Sequence, residues 1–378
     1  MATETADVLV IGAGMAGASA AAHLAATARI ILLEGEDQPG YHSTGRSAAL
    51  FSETYGNLPV RLLSRAGRGF YEARADGLAG YPILSLRGAL IFAMPGQEAL
   101  LDRAWAELSP LDAAIRRLDA AAARTLVPVL RPDKIVAAIH EPGAMDMDVH
   151  GLHQAYLRLL RNRGGRLVTG ARVTSLTRAG GAWTAATPAG AFAAPILVNA
   201  AGAWADTVAA LAGLTPIGIV PKRRTALIIA APPDIATEGW PITIDAAETG
   251  YFKPEAGKLL VSPADETPVA ACDVQPEEID IALALDRLTR RTTILVRHVE
   301  RKWAGLRSFA PDKTPVVGFD PLADGFFWLA GQGGYGIQAA EGLALCTAAL
   351  IADGHLPAAI ADAGLAAATL SPARFRSS

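Results

Sequence analysis

The feature that most constrains this chain is a glycine-rich turn between a buried strand and a helix, close to its start. The strand reads Asp7-Val8-Leu9-Val10-Ile11, the turn reads Gly12-Ala13-Gly14-Met15-Ala16-Gly17, and an alanine-rich helix leads to a second strand, Arg29-Ile30-Ile31-Leu32-Leu33-Glu34. Gly12 permits the tight turn, Gly14 lets a pyrophosphate approach the backbone, and Gly17 lets the helix pack closely on the strand. Because the helix N-terminus then faces the phosphates, the turn predicts a dinucleotide site.

An acid closes the second strand of this unit. The carboxylate of Glu34 can accept hydrogen bonds from both hydroxyls of an adenosine ribose, and it would repel a 2′-phosphate. NADP is therefore the least favoured dinucleotide.

A second glycine run, Gly331-Gln332-Gly333-Gly334-Tyr335-Gly336, follows the strand Phe326–Ala330. It could be a second dinucleotide fingerprint, as in a reductase that binds two nucleotides, but no strand ending in an acid comes after it. We interpret it as a turn whose backbone amides face a flavin ring. A single dinucleotide site favours FAD as a resident cofactor over NAD as a co-substrate.

Composition limits the class of protein and its partners. With 378 residues, 51% of them hydrophobic, the chain can form two domains. The net charge is −3 and the one basic run is Lys222-Arg223-Arg224, so neither nucleic acid nor an anionic membrane is expected as a partner. Cys272 and Cys346 each stand alone, which indicates a reducing compartment without disulfides.

The apolar N-terminal segment could be mistaken for a signal peptide or a membrane span. Met1–Asp7 carries acids and no basic residue, and glycines interrupt the apolar run that follows. We therefore expect a soluble cytoplasmic protein without a transmembrane segment. No metal site is expected: His150 and His153 share a helical spacing, but no acid or cysteine completes a ligand set, so an exposed helix face is favoured.

Further along the chain, several segments predict secondary structure. The patterns predict a helix opening from the polar stretch 38–49, two strands about Arg87-Gly88, a helix over 97–108, a hairpin over 182–194, a strand over 195–199 that enters a turn at 200–204, strands between 225 and 263, a helix over 276–298 and a helix over 337–353.

Motifs spread over nearly the whole chain resemble the D-amino acid oxidase and glycine oxidase superfamily, and more closely the bacterial D-arginine dehydrogenase type. They are Gly40-Tyr41-His42-Ser43-Thr44-Gly45-Arg46-Ser47-Ala48-Ala49, Tyr55-Gly56, Val198-Asn199-Ala200-Ala201-Gly202-Ala203-Trp204, Pro221-Lys222-Arg223-Arg224, Trp303-Ala304-Gly305-Leu306-Arg307-Ser308-Phe309 and Gln332-Gly333-Gly334-Tyr335-Gly336-Ile337-Gln338.

The resemblance implies an α/β fold with a Rossmann-like FAD-binding domain and an α+β substrate domain that has a mixed or antiparallel sheet. The FAD-binding domain would be assembled from residues 1–80, 145–220 and 304–378, and the substrate domain from 81–144 and 221–303. FAD would be bound non-covalently, since neither cysteine lies in a flavin-facing motif. The implied cofactor contacts are Gly12, Gly14, Met15, Ala16, Gly17, Glu34, Ser43, Thr44, Arg46, Ser47, Ala48, Ala49, Val173, Ala201, Gly202, Trp204, Gly331, Gly333, Gly334, Tyr335, Gly336 and Ile337.

The resemblance also implies how a substrate is held. Arg224 and Arg307 would bind its carboxylate, aided by the hydroxyls of Tyr55 and Tyr251, with the Gly334 carbonyl and Gln338 near its amino group. Two guanidinium groups can orient a Cα–H bond toward the flavin, so the chemistry of these residue types agrees. The alternatives are a solvated charge at Arg224, a structural ion pair at Arg307 and core packing for the tyrosines. Arg223 is a rival of Arg224, because adjacent strand residues face opposite sides.

Two positions depart from these relatives. Ala89 stands where the D-arginine enzyme has an acid, and Leu50 stands where the relatives have a histidine. A desolvated cation without an acidic partner costs several kcal/mol, so we expect poor use of arginine and lysine. We expect a largely apolar substrate pocket, lined by Leu50, Ser52, Ala89, Ile242, Ile244 and Ile337.

The leading hypothesis is FAD-dependent oxidative deamination of a non-basic, hydrophobic D-amino acid to its 2-oxo acid. Oxidation of an N-alkyl or cyclic amino acid, of a 2-hydroxy acid or of a plain amine is the alternative within flavin chemistry. From another class, the chain could be a flavin-bearing subunit without turnover. Oxygen or a quinone-like molecule would be the electron acceptor, and the oligomeric state, monomer or dimer, is left open.

Overall fold

The computed structural model describes residues 3–376, except the side chains at positions 74 and 76. Its strands are β1 (Glu4–Thr5), β2 (Val8–Ile11), β3 (Ile30–Leu33), β4 (Leu50–Phe51), β5 (Leu84–Leu86), β6 (Ala89–Ala93), β7 (Arg116–Asp119), β8 (Ala137–Glu141), β9 (Met145–Met147), β10 (Arg166–Val168), β11 (Ser175–Ala179), β12 (Ala182–Thr187), β13 (Gly190–Ala194), β14 (Ile196–Asn199), β15 (Val220–Ala230), β16 (Ile242–Asp245), β17 (Tyr251–Glu255), β18 (Lys258–Ser262), β19 (Thr267–Pro268), β20 (Arg301–Phe309), β21 (Val316–Phe319), β22 (Phe326–Ala330) and β23 (Gln332–Gly333).

The helices alternate with these strands along the chain. They are α1 (Met15–Leu24), α2 (Leu58–Gly69), α3 (Ala75–Ala79), α4 (Glu98–Leu108), α5 (Ala120–Leu126), α6 (Val149–Asn162), α7 (Ala205–Leu211), α8 (Glu278–Arg291), α9 (Ala340–Ala352), α10 (Ala358–Asp362) and α11 (Ala367–Leu370). A π-helical turn over Phe70–Arg74 connects α2 to α3.

A six-stranded sheet in the order β10-β3-β2-β14-β22-β21 forms the first layer; its strands are parallel except for β21. Every residue of β2 is buried, as expected for a parallel strand covered on both faces. Val8 and Val10 pack into a core with helices α1, α6 and α9, whereas Leu9 and Ile11 pack toward the sheet β1-β13-β12-β11. One strand thus contributes to two cores.

A larger sheet in the order β23-β20-β15-β18-β17-β16-β6-β8-β7 forms the second layer, with β19 paired to β15. Its pairs are antiparallel except for β16 with β6. One face is apolar and is covered by α5 and α8, through residues such as Leu227, Phe252 and Ile281. The opposite face looks toward the six-stranded sheet and carries the polar residues of the site. The mixed α/β fold expected from the sequence is confirmed; the predicted domain limits stay a prediction, and one of them, at 303/304, falls inside β20.

Most predicted elements are present, but the helix expected from residues 38–49 is wrong. The segment forms a single 3-10 turn, Thr44–Arg46, and then the short strand β4. Tertiary hydrogen bonds decide its shape: the Ser43 hydroxyl donates to the Leu306 carbonyl at 2.6 Å. The last long helix, α9, begins at Ala340 rather than at Ile337.

The contact between α9 and α2 depends on a glycine. A Cβ built on Gly342 would lie 2.2 Å from the Leu63 carbonyl oxygen, whereas a Cβ on Gly69 would meet nothing within 4 Å. We expect Gly342→Ala to lower the free energy of unfolding by about 1–3 kcal/mol through overpacking. Gly69→Ala should be neutral or stabilising by up to about 1 kcal/mol. Denaturant unfolding of both variants checks this, and equal stability of the two would contradict it.

Candidate functional site

A cavity of about 350 Å³ lies at the carboxyl ends of the parallel strands and continues toward the larger sheet. This is where open α/β sheets bind ligands, and the volume is within the range of small-molecule sites. Leu33 and Glu34 line one end of the cavity, and Arg224, Tyr251 and Arg307 line the other. The site therefore joins the two layers.

The glycine turn has no room for side chains. Gly12 has a φ of +99°, and a Cβ there would lie 2.6 Å from the Ala200 carbonyl oxygen. A Cβ on Gly17 would lie 1.8 Å from the Gly12 carbonyl oxygen, so α1 approaches the turn closely. Helix α1 has no acid in its first turn, and the amide of its first residue, Met15, donates to the Thr44 hydroxyl at 2.9 Å. Its N-terminus is thus suited to an anionic group such as a pyrophosphate.

The carboxylate of Glu34 is held in place by backbone donors. The amide of Ala13 donates to one carboxylate oxygen at 2.9 Å, and the amide of Glu36 donates to the other at 3.0 Å. Each oxygen retains a further lone pair, and Glu34 lines the cavity. This is the geometry expected of a residue that binds ribose hydroxyls.

The segment 40–48 closes the middle of the cavity by connecting the two layers. Arg46 donates to the carbonyls of Val274 and Ala304, both at 3.1 Å, and the Trp303 indole donates back to the Arg46 carbonyl at 3.1 Å. The Arg46 guanidinium also pairs with Asp273 at 2.5 Å. Arg46 thus holds the segment against β20.

Most residues predicted to contact the cofactor line this cavity. They are Gly12, Gly14, Met15, Ala16, Glu34, Ser43, Thr44, Arg46, Ser47, Ala48, Val173, Ala201, Gly202, Trp204, Gly333, Gly334, Gly336 and Ile337. Gly17, Ala49, Gly331 and Tyr335 do not line it: Gly17 packs behind the turn, and the ring of Tyr335 lies against Tyr55, with centroids 4.9 Å apart. The individual contacts to a cofactor stay predictions.

The register of β15 and β20 separates the two candidate arginines. Lys222 is paired with Arg307 and Arg224 with Gly305, so Arg224 and Arg307 share one face of the sheet. Arg223 lies on the other face, where its Nε donates to Asp280 at 2.9 Å. Arg224 lines the cavity and Arg223 does not. The geometry favours Arg224 over its neighbour.

The two guanidinium groups of the cavity differ in their partners. Arg224 donates from Nε to the Asp265 carbonyl at 2.8 Å and from Nη2 to Glu266 at 3.2 Å. Arg307 takes part in none of the ion pairs found within residues 3–376. Burial lowers the pKa of Arg307, but Tyr55 and Tyr251 more than offset this, so its pKa is raised and it stays charged. A half-buried cation that lines a cavity and has no ion-pair partner suits an anionic ligand group.

The hydroxyl of Tyr251 faces these cations. Burial raises the pKa of Tyr251, but the positive charges of Arg307 and Arg224 outweigh it, so the pKa lies below its usual value. Gly334 lies beside the same guanidinium, since a Cβ on it would be 2.8 Å from Nη1 of Arg307. Four of the predicted binding residues, Arg224, Tyr251, Arg307 and Gly334, therefore line the same end of the cavity.

Gln338 is buried and contacts the segment that carries Tyr55. Its Oε1 accepts from the Ser52 amide at 3.3 Å, and its Nε2 donates to the Tyr55 carbonyl at 3.2 Å. Gln338 does not line the cavity. In this structure it holds the Tyr55 segment in place, and its contact with a substrate amino group stays a prediction.

The predicted pocket residues collect beside Tyr251. Ala89 and Ile242 form a buried apolar cluster with Ala144, and Leu50 and Ile244 pack against it together with Tyr251. Tyr251 and Ile337 line the cavity, whereas Leu50, Ala89, Ile242 and Ile244 lie outside its wall. Ser52 is buried and points to Glu141, to which its hydroxyl donates at 2.9 Å.

Some residues of the site were not found from the sequence. Glu141 and Thr54 have no local motif, and only the inward-facing position of an acid at the end of a strand could have indicated them. His153 was expected on an exposed helix face, but it is buried and its Nε2 lies 2.9 Å from the Ala13 carbonyl oxygen. It supports the glycine turn from behind.

Comparison with known proteins identifies the family. The family model described as "DAO: FAD dependent oxidoreductase" matches residues 7–350. The chain belongs to this family. It is therefore an oxidoreductase with FAD as its cofactor, and the resemblance to the D-amino acid oxidase and glycine oxidase superfamily is confirmed.

Relatives of known activity extend over nearly the full chain. Glycine oxidase of Geobacillus kaustophilus (strain HTA426) is 25% identical over 364 residues, covering 93% of each protein. The structure of iminodiacetate oxidase from Chelativorans sp. BNC1 matches with a TM-score of 0.80 and 26% identity, covering 97% of this chain and 98% of that one. L-proline dehydrogenase from P. horikoshii has the same fold, with a TM-score of 0.85 and 22% identity, covering 99% and 98% of the two chains.

The cavity fits FAD. The glycine turn, the start of α1 and the fixed carboxylate of Glu34 would hold the pyrophosphate and the adenosine ribose of a dinucleotide. Within the described residues no group of three or more His, Cys, Asp or Glu could hold a metal ion. None of the helices in this part of the chain is long and apolar enough to cross a membrane.

Glu34→Ala is expected to weaken FAD binding. Removing the carboxylate deletes two acceptors for ribose hydroxyls, each worth about 1.5–3 kcal/mol, so the Kd of FAD should rise at least about tenfold. The ratio of flavin to protein absorbance after dialysis measures this. Glu4→Ala, which removes an exposed acid paired with Arg166, is the control. Unchanged FAD retention in Glu34→Ala would exclude the ribose assignment.

Proposed function

We propose that this chain catalyses the FAD-dependent oxidative deamination of an apolar D-amino acid. The substrate loses the proton of its ammonium group and a hydride from Cα, and the resulting imino acid is hydrolysed by water to a 2-oxo acid and ammonia. FAD, when bound, supplies the acceptor for the hydride. The family to which the chain belongs oxidises amines or amino acids.

The observation that carries the proposal is the half-buried guanidinium of Arg307, which shares the cavity with Arg224 and takes part in none of the ion pairs found within residues 3–376. A carboxylate between the two guanidinium groups would gain charge-assisted hydrogen bonds and would give Arg307 an ion-pair partner. The glycine, iminodiacetate and proline named for the compared proteins all carry a carboxylate next to an amine.

The chain also offers a group that can receive the amine proton. Leu50 stands where the resemblance implies a histidine, and its side chain cannot receive a proton. The Tyr251 hydroxyl lines the cavity beside Arg224 and Arg307, and we propose that it relays the amine proton to a water molecule. Next to it, the cluster of Ala89, Ile242 and Leu50 makes the surroundings of this end of the cavity apolar, and we propose that the substrate side chain lies on this side.

A secondary amine is the second candidate substrate. Iminodiacetate and proline, the substrates named for two of the compared proteins, are amino acids with a substituted nitrogen. The same pair of arginines would hold them, and it would hold a 2-hydroxy acid as well. The products distinguish these cases, because ammonia is released only from a primary amine.

We propose that a quinone-like acceptor, rather than oxygen, reoxidises the flavin, because the motifs resemble those of a dehydrogenase. For the location of the protein we propose the cytoplasm.

Anaerobic bleaching of the flavin by a panel of substrates tests the proposal. We expect D-leucine and D-methionine to bleach the flavin with release of ammonia, and D-arginine to act poorly because Ala89 offers no charge. Bleaching by proline or N-methyl amino acids without ammonia would establish the second candidate. If no carboxylate-bearing amine bleaches the flavin, the deamination proposal is wrong.

Arg307→Met is expected to lower kcat/KM by about 100-fold or more, because the substrate carboxylate would lose its half-buried partner. The loss should appear mainly in KM. Arg301→Met removes an exposed arginine from the same strand and should leave both constants within about twofold. Steady-state kinetics of both variants, at equal FAD content, checks this; similar effects in the two would contradict the role of Arg307.

A further inference from the structure

Glu141 is a buried acid without a cationic partner. It ends β8, is 9% exposed, and takes part in none of the ion pairs found within residues 3–376. Its two oxygens accept from two hydroxyls of one short segment: Ser52 donates to one at 2.9 Å and Thr54 to the other at 2.8 Å. The carboxylate is thus satisfied by two neutral donors alone.

These two hydroxyls belong to the segment 52–57, which carries Tyr55. The Thr54 amide donates to the Ser52 hydroxyl oxygen at 3.2 Å, so the segment turns tightly around the carboxylate. On its other side Gln338 binds the Ser52 amide and the Tyr55 carbonyl. The segment is held between Glu141 and Gln338, and its Tyr55 hydroxyl reaches Arg307.

Burial of the Glu141 carboxylate costs folding free energy. Burial raises the pKa of Glu141; the Thr54 and Ser52 hydroxyls lower it in part, and the nearby charges of Asp112 and Glu53 raise it further. The sheet does not need this carboxylate, since β8 is already paired with β6 on one side and β7 on the other. A carboxylate whose burial costs folding free energy is expected to position the groups that hydrogen-bond to it.

We propose that Glu141 is a positioning residue for substrate binding: its carboxylate anchors Ser52 and Thr54 and thereby fixes the hydroxyl of Tyr55 at the carboxylate-binding arginine, Arg307. This inference rests on the proposed function, because it assigns Tyr55 and Arg307 to the binding of a substrate carboxylate. Glu141 itself acts through the segment and not on the reacting atoms.

Four variants of the FAD-loaded enzyme test this role. Glu141→Leu keeps the volume but removes both acceptors, and Thr54→Val removes one donor with almost no change of shape. Glu141→Gln and Thr54→Ser are the conservative partners, since an amide can accept one hydroxyl and donate to the other. Glu53→Gln is the control: it neutralises an acid of the same segment that pairs outward with Arg65 and Arg68.

Two measurements are made on each variant. One is the rate of amide hydrogen exchange in peptides covering residues 50–60, which needs no turnover. The other is the Kd of benzoate, an unreactive carboxylate, from the flavin absorbance, together with kcat and KM for the best substrate of the panel.

We expect Glu141→Leu to accelerate exchange in this segment and to raise the benzoate Kd and the KM about tenfold, with kcat changed less than threefold. Thr54→Val should show a smaller effect of the same kind, and Glu141→Gln, Thr54→Ser and Glu53→Gln should resemble the parent enzyme. If Glu141→Leu does not fold, the exchange rate and the benzoate Kd of Thr54→Val alone test the proposal.

Unchanged exchange, or an unchanged benzoate Kd, in Thr54→Val and Glu141→Leu would overturn the proposal. Because exchange is read without any substrate, faster exchange in a protein that oxidises no amino acid would contradict the proposed function while leaving the anchoring of the segment intact.

Discussion

The register between β15 and β20 is the constraint on which the site depends. It pairs Lys222 with Arg307 and Arg224 with Gly305, and so it directs two guanidinium groups to one face of the sheet and Arg223 to the other. A slip by one residue would exchange these faces, because side chains alternate along a strand. The half-buried charge of Arg307, the lowered pKa of Tyr251 and the place of Gly334 beside the guanidinium all follow from this pairing.

Two kinds of residue surround the cofactor cavity. The glycine turn and Glu34 lie within one strand–helix–strand unit, and their geometry is set by neighbours in sequence. Ser43 and Arg46 instead bind carbonyls of β20 and of residue 274, more than 200 positions away. These hydrogen bonds fix the distance between the dinucleotide site and the substrate face, so the two layers have to be correctly placed before the cavity exists.

The sequence predicted the local unit well because its glycine spacing, strand and closing acid lie together in sequence, and the steric demand at Gly17 comes from Gly12 of the same turn. It could not decide between Arg223 and Arg224, since that choice depends on a strand pairing across 80 residues. The helix expected after residue 38 was wrong because long-range hydrogen bonds override local propensity there. Glu141 was missed for the same reason: its partners, Ser52 and Thr54, lie almost 90 positions earlier, and nothing around the acid marks it as part of a site.

The six-stranded sheet is built from residues that are widely separated along the chain. Its central strand β14 is paired on one side with β2 and on the other with β22, which ends at Ala330. During synthesis one edge of β14 therefore stays open while about 130 further residues are made, and this edge is buried and apolar in the finished protein. Such non-local pairing slows folding and exposes a strand edge to aggregation. The order in which the ribosome delivers these strands therefore sets how long this strand edge stays unpaired.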